Sequence, residues 1–119
     1  MANPYGAPEI SPADVQRKRS ADEPFVWLDV REPWEFRRVH VNDDAVLLVP
    51  LSEIAERRLE ALPEAAQDKD APIVVQCHHG VRSAQVTAWL LQQGWTNVVS
   101  LAGGVDAWAK EVDSAIGLY

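Results

Sequence analysis

Four short apolar runs divide the chain: Phe25–Val30, Ala45–Val49, Ile73–Gln76 and Val98–Leu101. None is long enough to show helical periodicity, and each reads as a buried strand of a parallel sheet. Between them the period changes. Ser52–Leu62 carries Ile54, Ala55, Leu59 and Leu62 at the spacing of one helix face. Ser83–Gln93 puts Ala84, Ala88 and Leu91 on one stripe and Val86 and Leu90 on another, a helix packed broadly against the sheet, with Gly94 as its left-handed stop. Gly103-Gly104 leads into a last helix over Val105–Val112, and a short helical turn over Trp34–Arg38 follows Pro33. Near the start, Ser11-Pro12-Ala13-Asp14 combines a cap, a proline at the first helical position and an acid in the first turn, predicting a helix to about Ser20. Ile10 is expected on a short edge strand, and residues 1–8, with Pro4, Gly6 and Pro8, form an irregular tail. Strands alternating with helices through short connections predict a single α/β domain over residues 1–119, with a mainly parallel central sheet of about five strands and helices on both faces.

Composition narrows the function. At 47% hydrophobic and 24% charged residues the chain is neither disordered nor fibrous. No apolar stretch approaches the ~20 residues of a membrane helix, and Met1–Gly6 lacks the basic start and apolar block of a secretion signal. A soluble cytoplasmic protein without a membrane partner is therefore expected. The formal charge of −7 argues against a nucleic-acid partner. The short basic groups Arg17-Lys18-Arg19, Arg37-Arg38 and Arg57-Arg58 are flanked by acids and read as solvated helix faces. A single cysteine, Cys77, excludes an internal disulfide and a cysteine metal cage. His78 and His79 are adjacent and His40 is remote, so neither a metal nor another cofactor is expected.

Cys77 holds the chemistry. It follows a strand and precedes a helix, the position where open α/β sheets bind ligands. The intervening Cys77-His78-His79-Gly80-Val81-Arg82-Ser83 can curl so that backbone N–H groups and the helix dipole face the sulfur. Such surroundings favour the thiolate and lower a thiol pKa from about 8.5. Arg82, His78 and His79 can add positive charge, and Gly80 permits the turn. The plainer alternative, a small buried hydrophobe, is disfavoured by this position and these polar neighbours. Four residues separate Cys77 from Arg82. A Cys-x5-Arg phosphatase has five, so this tighter cradle suits a smaller group, such as a terminal sulfur. Arg82 is a candidate to hold an anionic ligand, and His78 and His79 to tune its binding. Asp29 and Arg31, at a neighbouring strand end, read first as an ion pair holding the loop, and second as direct participants. His40 reads as a hydrogen-bonded structural histidine. The tryptophans Trp27, Trp89, Trp95 and Trp108 read as packing, whereas Trp34 follows a strand end on the side of Cys77.

Three ordered segments resemble the rhodanese family of sulfurtransferases over most of the chain. They are Leu28-Asp29-Val30-Arg31-Glu32-Pro33-Trp34-Glu35-Phe36, the loop Cys77 to Ser83, and Gly94-Trp95 through Gly103-Gly104-Val105-Asp106-Ala107-Trp108. The resemblance implies a rhodanese-like three-layer domain in which Cys77 accepts a sulfane sulfur from thiosulfate or a persulfide. Cys77 then holds it as a persulfide and yields it to a thiol or cyanide. The N–H groups of His78 to Ser83 would stabilise the persulfide anion. A protein sulfur donor or acceptor is a further expected partner. The alternative is a sulfur-carrier or docking module that receives sulfur from another protein. Where the family has Gly-His-Ile-x-Gly-Ala, this chain has Val39-His40-Val41-Asn42-Asp43-Asp44-Ala45. Left-handed backbone at Asn42 and Asp43 is expected to replace the lost glycines.

Overall fold

A computed structural model describes residues 3–119; Met1 and Ala2 of the expected tail lie outside the described residues. The chain runs through β1 (Glu9–Ile10), α1 (Pro12–Ser20), β2 (Val26–Asp29), α2 (Pro33–Arg38) and β3 (Val46–Leu48). It continues through α3 (Leu51–Arg57), β4 (Ile73–Gln76), α4 (Val81–Gln92), β5 (Val98–Leu101) and α5 (Gly104–Glu111). The strands form one five-stranded sheet in the order β1-β5-β4-β2-β3. Every pairing is parallel. The expected α/β architecture is present, and its sheet is parallel throughout.

Alternation along the strands sorts side chains into two cores. Leu28, Val30, Ile73, Val75 and Val98 face one side, where Ile54 of α3 and Val86 and Leu90 of α4 cover them. Trp27, Val74 and Leu101 face the other, against Val15 of α1 and Val105 and Trp108 of α5. Burial of these apolar groups is the main stabilising term. Trp27 and Trp108 meet edge to face at 5.3 Å, and Trp95 donates its indole N–H to the Ala66 carbonyl at 2.9 Å. Local signals fix the helix starts. Ser11 Oγ accepts the Asp14 amide at 3.1 Å, and Pro33 opens α2 with Glu35 accepting the Glu32 amide at 2.9 Å.

Two expectations are corrected. The single helix over Ser52–Leu62 breaks at Arg58, whose φ of 58° is left-handed, and a 3₁₀ turn follows over Arg58–Ala61. A continuous helix would turn Arg58, four residues beyond the buried Ile54, toward the core. The break resets the phase, so that Leu59 and Ala61 pack on the core and Leu62 is buried. In the 39–45 turn, neither Asn42 nor Asp43 has positive φ. Asp43 builds the turn with its side chain instead, accepting the Ala45 amide at 2.9 Å while its own amide donates to Val41. Arg19 of α1 clamps the same carboxylate with bonds of 2.8 and 2.9 Å.

The sheet order fixes where a site can form. From β2 the chain moves outward to β3, then returns to place β4 on the other side of β2. The carboxyl ends of β2 and β4 therefore meet at a topological switch point, with Asp29 opposite Gln76. Here α5 abuts the segment after β4: Val105 and Asp106 donate their amides to the carbonyls of Cys77 and His78 at 2.8 and 3.0 Å. A Cβ on Gly104, at φ +63°, would lie 2.4 Å from the Cys77 oxygen and 2.5 Å from that of His78. Gly104→Ala is expected to destabilise the fold by more than about 2 kcal/mol in urea unfolding. Gly6→Ala, at φ +66° with no atom within 4 Å, should cost only about 1 kcal/mol; equal costs would contradict this packing.

Candidate active site

Cys77 follows the last residue of β4 and is 1% exposed. Its Sγ accepts the amides of Gly80 at 3.1 Å and Ser83 at 3.3 Å. Gly80 makes this possible with a φ of 99°, turning the chain into the first turn of α4. The Ser83 hydroxyl lies 3.4 Å from Sγ as the thiol's acceptor, and 2.8 Å from the Ser100 hydroxyl of β5. Either serine can donate in that pair, so the Ser83 hydroxyl can equally turn its proton toward an anionic sulfur. With the Cys77 and His78 carbonyls tied to α5, amides rather than carbonyls line the sulfur.

A polar network joins this loop to the end of β2. Trp27 donates to Gln76 at 2.6 Å, and Gln76 to Asp29 at 3.1 Å. Asp29 and Arg31 form a fully buried ion pair at 2.8 Å. Arg31 also donates to the Glu35 carbonyl and, at 2.9 Å, to the Tyr119 hydroxyl. Burial works against the Arg31 charge, yet its bonds to Asp29 and Tyr119 raise its pKa overall. Tyr119 in turn donates to Glu35 at 3.1 Å. Glu35 is 4% exposed and holds Arg82 through two parallel bonds of 2.7 and 2.8 Å. Arg82 holds the Glu35 carboxyl down to about 2 against the opposing effect of burial, with the Glu32 amide assisting.

Aromatic rings form the outer wall. His78 is stacked between His79 and Tyr119, each at 3.8 Å between centroids. Trp34 stands edge-on to Tyr119 at 6.4 Å and is 56% exposed. Burial, and then the neighbouring His79, lower the His78 pKa below its ordinary 6.5. His40 stacks on Phe36 and bonds its carbonyl at 3.0 Å. Asp106 of α5 brings a carboxylate to the two loop histidines, with ligand atoms all within 4.8 Å. The histidine planes lie 26° apart, so their lone pairs run side by side instead of converging. Lys110 already holds Asp106 at 3.0 Å. The trio is a stacked, charge-paired surface more than a metal cage.

The rhodanese-like domain model matches residues 11–111. The chain belongs to the rhodanese family. It is 33% identical over 111 residues to the thiosulfate sulfurtransferase GlpE of Stutzerimonas stutzeri, covering 90% of this chain and 89% of that protein. It is 34% identical over 110 residues to the probable adenylyltransferase/sulfurtransferase MoeZ of Mycobacterium tuberculosis. That match covers 92% of this chain, which spans only 26% of MoeZ. Among solved structures, a rhodanese-related protein from Thermoplasma volcanium superposes with a TM-score of 0.69 and 31% identity, covering 88% of this chain and 93% of that one.

Within this rhodanese domain, β4, the loop and α4 bring together Cys77, Gly80, Arg82 and Ser83, with His78 and His79 in the aromatic wall and Val81 exposed. Asp29 and Arg31 meet each other; Asp29 also accepts from Gln76 at the end of β4, and Arg31 reaches the Glu35 carbonyl and the Tyr119 hydroxyl. Sequence reasoning missed Glu35, Ser100, Asp106 and Tyr119. Glu35 had a signal: it occupies the third position of α2, where a carboxylate bonds back to the cap residue. Tyr119 had none, lying 41 residues beyond His78 in sequence.

Because Glu35 ionises far below its ordinary 4.5, the pair with Arg82 contributes fully above pH 4.5 and is lost as pH falls toward 2. Glu35→Gln should be about 2 kcal/mol less stable near neutrality. It should also lose less stability than the parent between pH 4.5 and 2. Urea titrations across that range measure both effects, and parallel pH profiles would contradict the assignment.

Proposed function

We propose that the protein moves a sulfane sulfur from a small donor to a thiophilic acceptor through a persulfide on Cys77. The supporting observation is the pair of amides, from Gly80 and Ser83, aimed at Cys77 Sγ. An inert buried cysteine requires no such donors, whereas an anionic sulfur is stabilised by them. The thiolate attacks the outer sulfur of thiosulfate. A new S–S bond forms to Sγ as the donor's S–S bond breaks, and sulfite leaves with the electron pair. A thiolate or cyanide then attacks the terminal sulfur, and Cys77 departs as thiolate. His78, His79, Gly80, Val81, Arg82 and Ser83 form the cradle and its rim. Asp29 and Arg31 act as supports beneath it.

A second reading, a module that exchanges sulfur with a partner protein, draws support from the exposed Trp34 and Val81 beside the loop. Activity with small donors separates the two. A phosphatase is disfavoured by the four-residue spacing between Cys77 and Arg82 and by the engagement of Arg82 with Glu35.

Intact mass after incubation with thiosulfate is expected to show one added sulfur atom. Cyanide should remove it as thiocyanate, and Cys77→Ser should show no gain. Loading only by a persulfide donor would move the reading to another sulfur source, and no loading by either would leave a docking module.

A further inference from the structure

Thiosulfate is a dianion, and a site suited to it offers positive charge that nothing else has claimed. The cations that this structure brings to the loop are already claimed. Arg82 gives both terminal nitrogens to Glu35. Lys110 is held by Asp106, and Arg31 is buried against Asp29. His79 lies 3.9 Å from the same Asp106. Arg37 and Arg38 line a separate cleft with His40 and Asp113. Around the locally cancelled charges the whole chain carries −7. Apolar contact, by contrast, is available: Val81 is 53% and Trp34 56% exposed beside the stacked His79, His78 and Tyr119.

We propose that Glu35 is the specificity-determining residue of this site. By engaging Arg82 it biases the cradle toward monoanionic sulfane donors that carry an apolar substituent, organic thiosulfonates and hydropersulfides, and away from thiosulfate. The inference rests on sulfur transfer at Cys77 and goes beyond it. With an arenethiosulfonate the reaction balances as before. The Cys77 thiolate bonds to the terminal sulfur, that sulfur's bond to the sulfonyl sulfur breaks, and arenesulfinate leaves with the electron pair. One negative charge fewer enters the site, and the ring rests on the aromatic wall.

The test compares kcat/KM for benzenethiosulfonate and thiosulfate, with cyanide as acceptor, in the parent protein, Glu35→Gln and Arg82→Gln. Intrinsic donor reactivity cancels when each variant's donor ratio is divided by the parent's. Glu35→Gln frees the guanidinium and should move the ratio about tenfold toward thiosulfate, the scale of one charge-assisted contact. Arg82→Gln leaves the carboxylate bare and should move it in the opposite direction. A merely structural clamp would slow both donors alike, so an unmoved ratio, or shifts of the same sign, would overturn the proposal. In the parent protein, kcat/KM for thiosulfate should rise with ionic strength, and more steeply than for benzenethiosulfonate, as screening relieves repulsion. A fall with salt would overturn the proposal even if both variants failed to fold. Should neither of these donors nor a hydropersulfide load Cys77, sulfur transfer itself falls; loading by both with an unmoved ratio removes only the role of Glu35.

Discussion

Two hydrogen bonds from the start of α5 set the conditions for everything around Cys77. The loop after β4 must turn within a few residues, and each of its peptide units presents either a carbonyl or an amide to the interior. By taking the Cys77 and His78 carbonyls, the amides of Val105 and Asp106 decide that choice. What remains facing inward is the donor side of the backbone, and Gly80 and Ser83 deliver it to the sulfur. The close approach requires glycine at position 104, where a side-chain carbon would overlap both carbonyls. Packing between a helix and a loop is thereby converted into an electrostatic environment.

A second constraint is the burial of Arg31. A guanidinium fully removed from water is tolerated only when paired and hydrogen-bonded. Asp29 supplies the charge, while Tyr119 and the Glu35 carbonyl take remaining donors. This obligation draws α2 and residue 119 to the carboxyl end of the sheet. The Glu35 carboxylate is then in place to meet Arg82 at the start of α4. Two adjacent carboxylate–guanidinium pairs thus lie in line from the buried end of β2 to the loop. The inner one serves the fold and the outer one borders the candidate site.

The sequence exposed the architecture because its signals were local. Ser11 with Pro12, the apolar run Ile73–Gln76 and the stripes between Ser83 and Gln93 each specify an element by themselves. The break at Arg58 was not legible, since Ile54, Leu59 and Leu62 fit a helical period closely enough to hide the one residue that would have faced the core. The turn at residues 39–45 misled for a related reason. Missing glycines suggested a left-handed backbone, but an aspartate side chain held by Arg19, from a distant helix, closes the turn without it. At the candidate site, Cys77 and its loop stood out as contiguous sequence. Glu35, Ser100 and Tyr119 belong to it only through tertiary contact, and no local pattern couples them to Cys77.

A sulfur that is 1% exposed is at first sight ill suited to attack an external donor. Burial and reactivity are reconciled by the size of what is transferred. On the proposed reaction a persulfide extends the side chain by about 2 Å, the length of one S–S bond. The carrier sulfur can thus stay on the cradle floor while the sulfur to be delivered stands nearer the mouth. A deep floor and tight ring admit a terminal sulfur more readily than a tetrahedral phosphate, in keeping with the short spacing between Cys77 and Arg82. Selection among donors then shifts from the floor, where Cys77 Sγ keeps its bonds to Gly80 and Ser83 whatever the donor, to the rim. There Glu35, Arg82 and the aromatic wall meet the part of the donor that is left behind.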